Sequence, residues 1–380
     1  DTDRSRGLGD VYKRQILYDS QIFDLQIIGG ISRYFCEIIS RLQQPFDISI
    51  RYSENYYLKN STIARHRIPL PQCLFKRYKD KLLHKNFKYT KNKLKTSSPY
   101  LLHATYYEPY FLKYIGNNPF VITVHDMIYE RLPDYFSKEE TEQIIQQKKE
   151  IISKASRIIA ISKNTKKDLV ELLHIDQQKI DVIYHGTSMQ RFENKITMQL
   201  PEKYILFVGS RYSYKNFNRF IEAFSLLAQK DSKLYLICTG NKFSQGEEDK
   251  LSKLHIKNKT LQINASDKEL SELYTRASLF VFPSLYEGFG IPILEAYACH
   301  CPIAISNTSC FPEIAGDAAI YFDPYSVKDI ANTIEAIIYN PQKANELIQK
   351  GIKRLELYSW EKTVVETEET YKKAIQGYNF

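Results

Sequence analysis

Long apolar runs are missing from this chain of 380 residues. No stretch reaches the roughly 18 to 20 apolar residues that a membrane span requires, and no signal peptide is recognisable. The sequence therefore reads as a cytoplasmic protein, soluble or peripheral to the inner membrane. Paired cysteines are missing too. Cys36, Cys73, Cys238, Cys299, Cys301 and Cys310 are scattered, mostly in apolar segments, with no CxxC pair and no histidine at ligand spacing. That argues against a disulfide scaffold and the common zinc sites. The trio Cys299, His300, Cys301 is too closely spaced to chelate one ion easily and reads as structural. Short repeats and low-complexity tracts are also absent, which excludes solenoids and propellers.

What is present is enough apolar material, 43% of residues, for two cores. The net charge of +9 points to an anionic partner, whether phosphate, nucleic acid or lipid. Residues Asp1 to Gln15 are charged, glycine-rich and unlike the rest of the chain. They read as a non-native scar, outside the fold. From Ile16 onward, short apolar runs alternate with helical periodicity, the pattern of parallel βα units. Strands are expected at 16–19, 48–52, 100–103, 120–124, 157–161 and 179–184. A second series is expected at 205–208, 234–238, 261–263, 279–282, 302–306 and 320–322. The resulting division is a first domain over 16–190, a linker over 191–201, a second domain over 202–358, and a last stretch, 359–380. Its helix, around Trp360 to Ala374, has no strand to feed and is expected to cross back onto the first domain. Residues 59–95 hold twelve Lys or Arg against the single acid Asp80, with Phe75, Tyr78, Phe87 and Tyr89 interleaved. This segment reads as a surface insertion that faces an anionic membrane or an acceptor.

In open parallel sheets, ligands bind beyond the carboxyl ends of strands, so residues just after each strand carry the chemistry. Gly209-Ser-Arg-Tyr-Ser-Tyr-Lys215-Asn216 follows one strand and sets two cations, Arg211 and Lys215, at the start of a helix. Cations there oppose the helix dipole unless an anion such as a diphosphate lies between them. Pro283 to Ala296 follows another strand and carries Glu287 in a glycine-rich turn and Glu295 eight residues later, inside a helix. Gly288 and Gly290 let backbone amides approach a ligand, and the two carboxylates suit sugar hydroxyls. A glutamate pair eight apart means nothing alone; within GFGIPILEA, after an apolar strand, it becomes specific.

Tyr286-Glu-Gly-Phe-Gly-Ile-Pro-Ile-Leu-Glu-Ala296, together with Phe207-Val-Gly-Ser-Arg-Tyr-Ser-Tyr-Lys-Asn216, resembles family 4 of the glycosyltransferases. Gly29-Gly-Ile-Ser-Arg-Tyr34, Thr123-Val-His-Asp126, Ser162 to Leu169, Val182-Ile-Tyr-His-Gly186 and Pro312-Glu-Ile-Ala-Gly-Asp317 are similar as well, so the resemblance covers nearly all of 16–380. It implies the GT-B fold: two Rossmann-like α/β domains facing each other across a cleft, the first (16–190) for the acceptor and the second (202–358) for the nucleotide-sugar. It also implies a retaining hexosyltransferase, weakly favouring mannose, with a GDP- or UDP-linked sugar as co-substrate and no cofactor. The implied acceptor is a polysaccharide or lipid-linked glycan. Arg211 and Lys215 would neutralise the donor diphosphate. Glu295 would bind the ribose and Glu287 a sugar hydroxyl, with Phe289 to Ile291 supplying amides. His125 would contact the sugar from the opposite domain, Gly29 and Gly30 would leave space for donor phosphate or acceptor, and Gly209 belongs to the donor-binding set. The family usually carries Gly where His300 stands and Asn where His185 stands. An Asp-x-Asp metal motif is missing where the other main glycosyltransferase fold has one, so catalysis is expected to need no metal. Rival readings are an epimerase or phosphorylase of the same fold, a catalytically dead sugar-nucleotide sensor, and a nucleic-acid binder. The last would depend on residues 59–95 alone. Locally, His125 also reads as capping its loop through Asp126, Ser162 as a helix N-cap, and His103 as structural or acceptor-facing.

Overall fold

The computed structural model describes residues 15–96, 98–193 and 198–376. Residues 1–14 of the terminal segment, 194–197 of the expected linker and 377–380 lie outside the described residues. The chain forms two compact units, one comprising residues up to His185 plus those from Trp360 onward, the other Gly186–Ser359.

Each unit is built on a six-stranded parallel sheet. In the first, β1 (Gln15–Tyr18), β2 (Phe46–Ile48), β3 (Tyr100–Ala104), β4 (Phe120–Val124), β5 (Arg157–Ala160) and β6 (Ile180–Val182) lie in the order β2-β1-β3-β4-β5-β6. In the second, β7 (Lys203–Phe207), β8 (Leu234–Thr239), β9 (Thr260–Ile263), β10 (Leu279–Phe282), β11 (Ile303–Ser306) and β12 (Ile320–Phe322) lie in the order β12-β11-β10-β7-β8-β9. The central strands β3, β4, β10 and β11 are buried along their whole length. This is why they read as continuous apolar runs rather than alternating ones. Each sheet reverses its strand order once, between β1 and β3 in the first and between β7 and β10 in the second. A crevice at the carboxyl ends of the strands opens at such a switch point.

Six helices bear on the sites: α1 (Gln21–Leu25), α2 (Gly30–Ile39), α3 (Lys79–Leu94), α4 (Phe217–Lys230), α5 (Ile291–Ala298) and α6 (Trp360–Gln376). The apolar stripe of α2 joins β1, β4 and α6 in one core through Tyr34, Phe35, Ile38, Ile39, Trp360 and Tyr371. Helix α6 belongs to the first unit, where Tyr371 Oη lies 2.7 Å from Tyr18 Oη and Lys373 Nζ 2.7 Å from Asp181 Oδ1.

Three expectations change. The boundary falls after His185, not at 191–201. On either side of residues 194–197, Phe192 N donates to Thr275 Oγ1 and Met198 N to Glu272 Oε1, which ties those two residues to the helix Asp267–Arg276. The second strand is Phe46–Ile48, not 48–52. Beyond it, Arg51 N and Tyr52 N both donate to Asn86 Oδ1 at 3.0 and 2.9 Å, so an α3 side chain replaces the neighbouring strand as acceptor. Finally, α3, within the expected surface insertion, is packed into the first unit. It buries Leu82, Asn86, Thr90 and Leu94 at a spacing of four, and Asn86 Nδ2 donates to Asp24 Oδ1 while Thr90 Oγ1 donates to Ser49 O, both at 2.7 Å. Of the interleaved aromatics, Phe75 is buried and the Arg51 guanidinium covers the Tyr89 ring at 4.3 Å, leaving Tyr78 and Phe87 exposed.

Candidate donor site at the second switch point

The loops after β7 and β10 flank the switch point of the second sheet, and they hold most of the residues singled out in the sequence. Gly209 has φ +113°, a backbone region that L side chains rarely adopt, and a Cβ there would meet nothing within 4 Å. The chain then turns through a short 3-10 segment, Ser213–Lys215, and Asn216 at φ 58° leads into α4. Asn216 Nδ2 donates to Pro324 O at 2.7 Å, which explains a buried Asn at a strained position.

Lys215 points back from this segment, and its Nζ lies 2.6 Å from Glu287 Oε1 with both side chains largely buried. The two loops are further joined by Leu285 N donating to Tyr214 O at 2.8 Å. Glu287 N donates to Ser309 Oγ at 3.2 Å. The Cys310 thiol donates to the carbonyls of Glu287 and Phe289 at 3.2 and 3.1 Å. Gly290, at φ +93°, precedes α5; a Cβ there would press on Ile293, Phe311 and Phe282 at 3.1 to 3.4 Å. Glycine is required at 290 both by the dihedral and by the packing. Glu295 lies inside α5, only 5% exposed, and its Oε2 accepts from Tyr274 Oη at 3.3 Å. Gly288 and Phe289 are buried within the loop and Ile291 opens α5 half-buried. The carboxylates of Glu287 and Glu295 thus hang from one loop and helix, with Lys215 beside the first.

Arg211 departs from the expectation of a cation turned toward an anion. Its Nε donates to Glu247 Oε1 at 2.6 Å, and its terminal nitrogens donate to the carbonyls of Thr239, Asn241 and Lys242 at 3.2, 2.6 and 3.0 Å. The guanidinium also lies 4.7 Å from the Phe243 ring centre, and the side chain is 5% exposed. Its five-donor fork therefore ties the loop after β7 to the loop after β8. Glu247 itself completes a capping box with Ser244. Sequence reasoning missed this acid, and the only local signal is the Ser-x-x-Glu spacing of that box.

The remaining expected residues belong to the first unit. Gly29 caps α2 in extended conformation, beside the Gln26 side chain whose Oε1 accepts from Ser32 N at 3.0 Å, and a Cβ on Gly30 would meet nothing. His125 follows β4 and is 8% exposed; its backbone N donates to Tyr107 Oη at 3.0 Å, while its Nε2 is buried with no hydrogen-bond partner. Burial, then the neighbouring His185, His103 and Lys148, hold its imidazole well below the usual histidine range, so it is neutral. The loop cap through Asp126 is present, its Oδ1 accepting from Ile128 N at 3.2 Å. His103 is structural: Nδ1 pairs with Tyr371 Oη at 2.7 Å and Nε2 with Thr123 Oγ1 at 2.9 Å, and burial pushes it down to about 3. Ser162 caps its helix by accepting from Thr165 N at 3.0 Å. His300 has φ 57°, the left-handed region where glycine is at ease. Cys299 and Cys301 flank it, buried, and burial raises both thiols above their usual range.

A family described as Glycosyl transferases group 1 matches residues 188–354, and one described as Glycosyltransferase Family 4 matches residues 28–191. O-antigen chain mannosyltransferase B of Escherichia coli is 27% identical over 268 residues, covering 66% of this chain and 70% of that protein. O-antigen chain mannosyltransferase RfbU of Salmonella typhimurium is 29% identical over 217 residues, covering 57% of this chain and 60% of its own length. The serotype-specific mannosyltransferase WbdA of Escherichia coli is matched over only 29% of its length. Among solved structures, sucrose-phosphate synthase from Thermosynechococcus elongatus superposes with a TM-score of 0.75 at 17% identity, covering 96% of this chain and 100% of that one. HepE of Anabaena, in complex with UDP and glucose, superposes with a TM-score of 0.69 at 17% identity over 94% of this chain and 99% of that one. With two parallel six-stranded sheets and these matches across 28–354, the chain belongs to the family 4, or group 1, glycosyltransferases of GT-B fold.

Proposed function

We propose that this glycosyltransferase is retaining and metal-independent, and that it moves a hexose, by preference mannose, from a nucleotide-sugar to a polysaccharide or lipid-linked glycan. The observation that carries this reading is the Lys215 ammonium 2.6 Å from Glu287, on two joined loops at the switch point of the second sheet. A fixed cation there stabilises charge that grows on a leaving diphosphate, the task a divalent metal performs elsewhere. Glu287, already ion-paired, serves better as acceptor of a sugar hydroxyl than as nucleophile. The acceptor hydroxyl then attacks the anomeric carbon on the face the diphosphate leaves, the glycosyl C–O bond breaks, and the acceptor proton passes to a departing phosphate oxygen. The mannose preference leans on the names of the two O-antigen relatives. His125, neutral and with Nε2 unpartnered, is proposed to hydrogen-bond the donor sugar.

The test is turnover of GDP-mannose and of UDP-sugars with glycan acceptors, with product configuration read by NMR. An α-linked product from an α-linked donor, formed at nearly the same rate in excess EDTA, is expected. A β-linked product overturns retention, and activity that vanishes in EDTA and returns with Mn²⁺ overturns the metal-free mechanism.

The two glutamates divide the donor between them in this reading. Glu295→Ala should weaken plain nucleotide about tenfold or more, as loss of a charge-assisted hydrogen bond does. Glu287→Ala should leave plain nucleotide bound and lower turnover. Calorimetry with UDP and GDP decides, and equal losses in both variants would reject the division.

No helix among the described residues is long and apolar enough to cross a membrane. Lys76, Arg77, Lys79 and Lys81 are all exposed around the exposed Tyr78, and each cation near an anionic leaflet is worth about 1 kcal/mol. Anionic vesicles are therefore expected to sediment the protein at low salt and release it as salt rises. Replacing all four with Gln should remove most of that binding without changing turnover in solution. Unchanged sedimentation returns this face to ordinary solvated surface.

A further inference from the structure

The stretch 283–290, which carries Glu287 and the glycines 288 and 290, contains no helix or strand of its own, so its backbone groups must find partners elsewhere. Three consecutive residues of the loop after β11 supply them. Thr308 Oγ1 donates to Leu285 O at 3.1 Å, and Ser309 Oγ accepts from Glu287 N at 3.2 Å. The Cys310 thiol lies 3.2 Å from Glu287 O and 3.1 Å from Phe289 O, sharing its one proton between them. Both backbone polar groups of Glu287 are thus taken, the N–H by Ser309 and the carbonyl by Cys310. The three residues are themselves anchored. Asn307 N donates to Phe322 O at 2.8 Å, which fastens the start of their loop to β12, and Cys310 caps the helix Phe311–Ala315, its carbonyl accepting from Ile314 N at 3.0 Å. All of this lies within the second unit.

Two features of these residues exceed what packing requires. Ser309 sits at φ 49°, in the left-handed region that a residue with a side chain adopts at a cost, and such strain concentrates at functional sites. Glycine would take that backbone freely but would bring no oxygen to Glu287 N. Cys310 is fully buried, and burial, then the carboxylates of Glu287 and Glu313, push its thiol well above the usual range, so it stays protonated and able to donate. Lys215 cannot do the same work, because an ammonium is a compact charge that fixes a distance and not a direction. A backbone held at both N–H and carbonyl fixes the origin and direction of the side chain. We propose that Thr308, Ser309 and Cys310 are positioning residues that clamp the backbone of Glu287, so that its carboxylate is aimed at a hydroxyl of the donor sugar. The proposal rests on the transferase reading for what Glu287 binds, whereas the clamp stands on its four hydrogen bonds.

Turnover of GDP-mannose and UDP-glucose, calorimetry with GDP and UDP, and amide exchange, all on the full chain, test it. Cys310→Ala should lower kcat about tenfold or more, as small misplacements of an aligned group do, while GDP and UDP bind as in the parent. Cys310→Ser keeps a donor and should restore most of the rate. In a Glu287→Ala background, Cys310→Ala should cost nothing further, because residues that act through one group are not additive. Ser309→Gly should lower kcat without lowering Tm, since relief of the left-handed backbone offsets the lost hydrogen bond, and it carries the test if Cys310→Ala does not fold. Turnover at the parent's rate in Cys310→Ala or Ser309→Gly, an undiminished loss on top of Glu287→Ala, or a Cys310→Ser enzyme no better than Cys310→Ala would each overturn the clamp. A parent that turns over neither nucleotide-sugar would instead overturn the transferase reading. Exchange of the Glu287 amide then decides the clamp: faster exchange in Ser309→Gly upholds it, and an unchanged rate overturns it.

Discussion

Lys215→Ala is expected to lower kcat by about 10² to 10³-fold, roughly 3 to 4 kcal/mol of transition-state stabilisation, with a small change in donor KM. Two effects act in one direction. The variant removes the cation proposed to meet the growing diphosphate charge. It also leaves Glu287, 2.6 Å from where the ammonium stood and largely buried, as an uncompensated carboxylate beside the same phosphate. Adding Glu287→Gln to Lys215→Ala should therefore recover part of the loss, a non-additivity that two independent residues would not show. Lys215→Arg should recover only part of it, since a planar guanidinium cannot occupy the place of a compact ammonium between two fixed loops. Steady-state kinetics at saturating donor provide the measure. A Lys215→Ala enzyme within threefold of the parent would shift the phosphate to Arg211, which would first have to release Glu247 and three loop carbonyls.

The second large effect concerns acid. Burial holds His103 and His185 at about 3 against an ordinary 6.5, so between those values the unfolded chain binds protons that the folded chain refuses. Their contribution is complete above pH 6.5 and falls as pH drops toward 3, by about 1.4 kcal/mol per pH unit for each. At pH 5 the pair costs about 4 kcal/mol, a large part of a domain's usual 5 to 15, and His125 adds in the same direction. Asp19 and Asp24 work against this. Burial raises both, so the folded state takes up protons before the unfolded state does and regains stability as pH falls. The parent should lose stability from pH 7 to 5, but less than the histidines alone would cause. His103→Gln should flatten that slope by about 1.4 kcal/mol per pH unit and Asp24→Asn should steepen it. Trp360, the single tryptophan, lies in the first unit with its ring 5.7 Å from His185, so its fluorescence in urea reports this unit alone. Identical slopes in the parent and His103→Gln would mean that His103 is protonated when folded.

Local order made much of this protein readable from its residues. Continuous apolar runs place the central strands because a strand buried on both faces tolerates little else, and 120–124 and 279–282 are strands over those residues. Gly290 was singled out in the sequence as room for a ligand's approach, whereas the folded chain shows a positive φ and close packing that require glycine there. Partners distant in sequence were not legible. That Arg211 binds Glu247 and the loop after β8 depends on two strands lying side by side, and nothing near Arg211 announces an acid 36 residues away. The same holds for α3. Its lysines suggest a free surface, yet Asn86 and Thr90 bind the chain just beyond β2, because a buried amide must find partners wherever the fold supplies them. The order of residues was enough to specify the two βα series, the cationic and glutamate loops and the family. It took the folded arrangement to settle which cation pairs with which carboxylate and which histidines are buried and neutral. Pairing and burial are set by contacts between segments far apart along the chain, and local spacing cannot encode them.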